Sequence, residues 1–145
     1  MKMVHKYLGM NLDFSTKHKV KITMVEYVKE IIAAWDKVAL KVNEDGFETV
    51  CKHSKKGRSS AAPEDLFKID EDSAEKLKPV KATAFHNIVA KALYLVKRAR
   101  SDASVAIAFL TTRVREPNAD DWRKLVHLNE YFCSTAEMPL ILGVC

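Results

Sequence analysis

The stretch from Phe85 to Pro117, FHNIVAKALYLVKRARSDASVAIAFLTTRVREP, sets the tightest limits on what this chain can fold into. Phe85, Ile88, Val89, Ala92, Leu93 and Val96 recur at the spacing of a helix with one face in a core. The pattern ends in Lys97, Arg98 and Arg100, cations that suit the negative end of a helix. Ser101-Asp102 interrupts it and is expected to cap a second helix through Val105, Ala106, Ile107, Phe109 and Leu110. That helix must stop before Pro117, whose ring and missing N–H cannot continue it. Arg113 and Arg115 return positive charge just before the stop. The most apolar segment of the chain is thus bracketed by two basic clusters, and a function has to account for both.

The flanks complete the outline. Val4 to Phe14 has mostly alternating apolar residues and reads as a strand. Ser15 to Lys19 is a polar turn, and Val20, Ile22 and Met24 mark a second strand, so residues 1–25 are expected to form a hairpin. A lone hairpin is at best marginal in water and must pack on helices or extend a sheet that this chain does not contain. A helix is expected over 26–42, striped by Tyr27, Val28, Ile31, Ile32, Trp35 and Val38, with Thr23 and Glu26 at capping-box spacing. Residues 43–78 form a long polar connection, which Leu66-Phe67 is expected to pin to the core. Helices fill 79–135, the last with Asp120 and Asp121 in its first turn, and 139–144 is a terminal strand. The expectation is a mostly α, α+β chain: an N-terminal β-hairpin followed by helices, as one domain or part of a larger one.

Charge and cysteine usage narrow the class. The net charge of +5 and pI of about 9.1 are compatible with a polyanion partner. Cys51, Cys133 and Cys145 are odd in number and widely spaced, so they make neither a disulfide framework nor a paired zinc pattern, and a reducing, intracellular setting is expected. No apolar run is long enough for a signal peptide or a membrane span.

Residues that carry chemistry are few. Asp120-Asp121 is an aspartate pair of the kind that can hold Mg²⁺, but it opens a helix, where capping is the expected role. The acidic run from Asp70 through Glu71 and Asp72 to Glu75 lacks the spacing of a calcium loop. Cys51-Lys52-His53 lacks a second ligand pair, and His86 and His127 fall within helices. The four glycines are isolated, so no phosphate loop exists, and no serine sits in a nucleophile elbow. No cofactor and no self-sufficient enzyme are expected. Lys97, Arg98, Arg100, Arg113 and Arg115 would form one phosphate-binding patch if the helix pair folded back on itself. Lys55, Lys56 and Arg58 make a second basic loop.

One resemblance covers nearly the whole chain. It runs through Tyr7-Leu8-Gly9-Met10, Val20 to Met24 with Tyr27-Val28, and the AxxxLF element from Ala62 to Phe67. It continues through Phe85-His86, Ile88 to Lys91 and Leu93-Tyr94, the Arg100-x-Asp102 step, AIAFLTTR from Ala106 to Arg113, and Trp122 to Leu125 leading to Tyr131. In order and spacing these resemble the Ty1/copia-type reverse transcriptase of LTR retrotransposon polyproteins, in the part that follows the catalytic palm. The resemblance implies a thumb-and-connection fragment that holds an RNA/DNA duplex weakly and without sequence preference through Lys97, Arg98, Arg100, Arg113 and Arg115. It implies Mg²⁺ only for the parent enzyme, because the catalytic Tyr-x-Asp-Asp turn would lie upstream and the RNase H carboxylates downstream. The family's Pro before Asp102 is Ser101 here, its Thr-Pro is Ser60-Ala61, and its Gly-Thr is Ser134-Thr135. These departures suggest a non-functional retroelement remnant as one alternative; the other is a small helical protein–protein interaction module in which the basic groups only solvate the surface.

Overall fold

The computed structural model describes residues 3–41, 60–70 and 75–143, without the side chains of 38–41. Strands β1 (Val4–Tyr7), β2 (Met10–Asp13) and β3 (Lys19–Thr23) lead into helix α1 (Val25–Lys41). Helix α2 (Pro79–Arg98) follows, then a 3-10 turn at Ser101–Ala103, α3 (Ser104–Thr111), α4 (Ala119–Ser134) and strand β4 (Leu140–Gly143). The fold is α+β and mostly α, as expected from the sequence.

The N-terminal region differs from the single hairpin expected. Val4 to Phe14 is two strands joined at Leu8-Gly9, because both residues take positive φ, 49° and 83°. A two-residue hairpin turn of the I′ type requires that sign at both positions. Glycine accepts it without cost, whereas leucine does not. The sheet is then completed within the chain: the antiparallel order is β1-β2-β3-β4, with the C-terminal strand on the edge of β3. Leu12, Ile22 and Leu140 are register partners and therefore share one face. That face packs on the helices, with Ile22 buried.

The helical core joins Val28, Ile31 and Trp35 of α1, Phe85, Ile88, Ala92 and Leu95 of α2, Ile107 and Leu110 of α3, and Leu125, Leu128 and Phe132 of α4. Trp35 and Trp122 stack with ring centroids 4.8 Å apart, tying α1 to α4. Two expected caps are absent. Thr23 ends β3 and the carbonyl of Met24 takes the first helical hydrogen bond from Val28, while Glu26 pairs with Lys6 at 3.7 Å. Ser101-Asp102 forms the 3-10 turn instead of a side-chain cap, because Asp102 is held by Arg100. In the polar connection Leu66 is buried, whereas Phe67 stays 68% exposed and meets the edge of Phe109 at 5.7 Å. The basic loop Lys55, Lys56 and Arg58, the Cys51-Lys52-His53 triplet, and Glu71 and Asp72 of the acidic run lie outside the described residues.

One core position breaks the apolar pattern. Asn129 on α4 is 0% exposed, and neither its amide nitrogen nor its carbonyl oxygen has a hydrogen-bond partner among the described residues. A buried amide left unpaired costs about 1–3 kcal/mol. Asn129→Leu is therefore expected to stabilise the chain by about 1–2 kcal/mol, after some loss to tighter packing. Thermal denaturation followed by circular dichroism should show the melting temperature rising by about 3–6 °C; a fall would mean that the amide has a partner.

Candidate nucleic-acid interface

The five cations singled out by the sequence fall into different environments. Arg100 lies two residues beyond α2 and is 2% exposed. Its Nε and Nη2 donate to the Asp102 carboxylate at 3.2 and 3.1 Å, and its Nη1 donates to the Thr135 carbonyl at 2.9 Å. Nη2 also donates to the Thr135 hydroxyl at 2.6 Å, and the rings of Tyr131 and Phe132 lie 5.4 and 5.2 Å from the guanidinium carbon. The Tyr131 hydroxyl donates to the same Asp102 carboxylate at 2.5 Å. Burial pushes the Asp102 carboxyl up, but hydrogen bonds from Arg100 and Tyr131 and the arginine charge outweigh it and hold the group below its ordinary value. Burial and the Asp102 carboxylate raise the Tyr131 phenol. Arg100 thus fastens the α2–α3 link to the end of α4.

Arg113 is also committed. Its Nε donates to both Asp121 oxygens at 3.1 Å, and Asp121 is buried. Asp121 closes a capping box with Asn118, which anchors the start of α4 as the first-turn aspartates implied. Asp121 and Thr135 are about 21 Å apart along α4 at 1.5 Å per residue. Arg100 and Arg113 are therefore consumed at opposite ends of one helix, and the five cations do not form a single phosphate patch. The reason is desolvation: an arginine so covered is tolerated only when its donors are used inside the protein. Lys97 and Arg115 remain exposed, and Arg98 is half-buried.

Arg98 has a different setting. Its guanidinium carbon lies 3.5 Å from the Tyr94 ring centroid, and its Nη1 donates to the Tyr94 carbonyl at 3.1 Å. The Tyr94 hydroxyl donates to the carbonyl of Leu8 at 2.8 Å, and its ring lies 5.1 Å from that of Tyr27. Burial, Tyr94 and Glu30 raise the Tyr27 phenol against the pull of Arg98. The strained β1–β2 turn therefore holds the aromatic base on which Arg98 lies.

The rest of α2 extends this face. The helix carries Lys81, Lys91, Lys97 and Arg98 and no aspartate or glutamate. Asn87, Lys91, Tyr94 and Arg98 follow one another at intervals of four, three and four, which aligns them in one stripe. Beside the stripe a groove of about 440 Å³ is lined by His86, Asn87 and Lys91 together with Ala34, Ala84 and Ala90. Reading for basic clusters passes over Lys91, His86 and Asn87. The signal that finds them is the lack of any acid between Glu75 and Asp102.

The other charged centre is a clamp. Lys124 is buried, and its Nζ reaches the Asp120 carboxylate at 2.9 Å and the Lys68 carbonyl at 2.7 Å. Arg123 bridges Asp120 and Asp65 at 2.8 Å each, and the Asn118 amide donates to the Asp70 carbonyl at 2.9 Å. His127 meets the Ser60 carbonyl at 3.0 Å. Burial raises the Asp120 carboxyl, but Lys124 and Arg123 bring it below its ordinary value. These contacts bind the 60–70 segment to α4. They also decide the Mg²⁺ question for Asp120 and Asp121: both carboxylates are already neutralised by Arg113, Arg123 and Lys124, so the pair does not fit a divalent cation. Among the described residues no three His, Cys, Asp or Glu side chains converge on one point, and no helix is long and apolar enough to cross a membrane.

No protein-family model, curated protein or solved structure matches this chain.

Proposed function

We propose that this chain is the non-catalytic thumb-and-connection part of a copia-type reverse transcriptase, and that it holds an RNA/DNA duplex weakly and without sequence preference. The contact surface is the outer face of α2, with Lys91 and Lys97 meeting phosphates and Arg98 beside them. The observation that carries this reading is the charge of that outer face: Lys91, Lys97 and Arg98 and no acid on a helix whose opposite face is the core. Counterion release by such a face supplies affinity that ignores base identity.

The test is a fluorescence-anisotropy titration of a labelled RNA–DNA hybrid over a range of salt concentrations. The logarithm of the binding constant should fall linearly with the logarithm of salt, with a slope of about 2–3 for two to three phosphates neutralised. Lys91→Glu combined with Lys97→Glu should abolish binding at low salt while leaving the melting temperature unchanged. Binding that resists this charge reversal would move the interface elsewhere.

A protein–protein interaction module is the second reading. It is favoured by exposed apolar side chains on both edge strands, Val4 and Tyr7 on β1 and Ile141 and Leu142 on β4. In that reading the α2 reversal changes nothing.

A further inference from the structure

We infer that the α2 face, besides gripping a duplex by its backbone, takes an unpaired nucleic-acid strand, with one base stacked on Arg98 and the backbone following the groove beside Lys91. The inference deepens the backbone-binding reading and rests on it. A guanidinium 3.5 Å above the centre of a tyrosine ring lies on that ring as a flat second layer. Tyr94 cannot swing away, because its hydroxyl is tied to the Leu8 carbonyl and Tyr27 packs beside it. Arg98 is further fixed by its bond to the Tyr94 carbonyl, so little side-chain freedom is left to lose on binding.

Such a platform selects the state of the ligand. A base within a duplex has its faces covered by its neighbours and shows only its edges, whereas an unpaired base offers a π face to an aromatic or arginine layer. The phosphate contacts lie along the same stripe. Lys91 is about 10 Å along the helix axis from Arg98, and the groove that it lines with His86 and Asn87 is bordered by Ile88 and three alanines, with no acid among the described lining residues. The small alanine side chains let a sugar–phosphate backbone approach α2 closely. Lys97, exposed beside Arg98, adds a second cation at the stacking end.

The experiment compares three probes of equal length with the whole chain: oligouridylate, an abasic strand and a blunt RNA–DNA hybrid. Oligouridylate should bind about fivefold or more tighter than the abasic strand, since stacking is tolerant of sequence and adds to the charge contribution. Arg98→Lys keeps the charge and removes the flat surface. It should erase that difference while leaving abasic binding and the melting temperature as in the unaltered chain. Equal binding of oligouridylate and abasic strand by the unaltered chain would overturn the stacking inference and leave backbone binding standing. Persistence of the difference in Arg98→Lys would overturn it equally. Failure of all three probes at low salt would overturn the backbone reading and this inference together.

Discussion

Arg100→Ala is expected to destabilise the chain by about 3 kcal/mol and to lower its melting temperature by about 6–12 °C. Loss of one partner from a buried ion pair typically costs about 3–5 kcal/mol. The lower end applies because the Asp102 side chain keeps 32% of its surface in water. The substitution leaves the Asp102 carboxylate without its bidentate donor, the Tyr131 hydroxyl bonded to an unbalanced charge, and the Thr135 carbonyl open. It also cuts the link between the end of α2 and the end of α4. Arg98→Ala, two residues away, should shift the melt by only a few degrees, because its ring contact is half in solvent. The pair of melts separates two arginines that look alike in the sequence. A small shift for Arg100→Ala, accompanied by loss of nucleic-acid binding, would make Arg100 a phosphate contact after all.

That pair also shows where sequence reasoning reaches its limit. The helical periods of Phe85 to Val96 and Trp122 to Phe132 located α2 and α4, because packing on one face leaves a 3.6-residue signature. The acidic first turn of α4 was legible in Asp120 and Asp121 for the same kind of local reason, whereas the Asn118 cap emerged from the structure. The β1–β2 turn was less legible, since Leu8 is a poor residue for positive φ and only Gly9 marks the bend. Pairing of β4 with β3 is a long-range event between Leu140 and Ile22, and no local pattern encodes it. The setting of each basic residue was out of reach of the sequence for a related reason. Whether Arg100 or Arg113 is solvated depends on Asp102, Thr135 and Asp121, and their placement depends on how α4 docks. The α2 face was within reach of the sequence, because its lack of acids is a property of a contiguous segment.

Lys124→Ala should cost more, about 4 kcal/mol, and lower the melt by about 8–16 °C. Its side chain is fully buried, with the ammonium between Asp120 and the Lys68 carbonyl and 4.8 Å from the Phe109 ring centroid. Alanine removes the charge, the carbonyl's donor and the packed stem together. Lys124→Met keeps the stem and should recover about half of the loss, since Arg123 still pairs with Asp120. The damage should be local first. Limited proteolysis of Lys124→Ala should open the 60–70 segment before α2 or α4, because this lysine is one of the ties that hold the segment to the helices. Simultaneous cleavage across the chain would show that the clamp belongs to the core itself.

The central claim is that the acid-free face of α2 contacts nucleic acid while Arg100 and Arg113 serve the fold. The most direct measurement is the affinity of the Lys91→Glu, Lys97→Glu double variant for the RNA–DNA hybrid at low salt, beside the unaltered chain and with both melts recorded. The account predicts binding by the unaltered chain, none by the variant, and coincident melts. Equal affinity in the two proteins, or no binding by either, would contradict it.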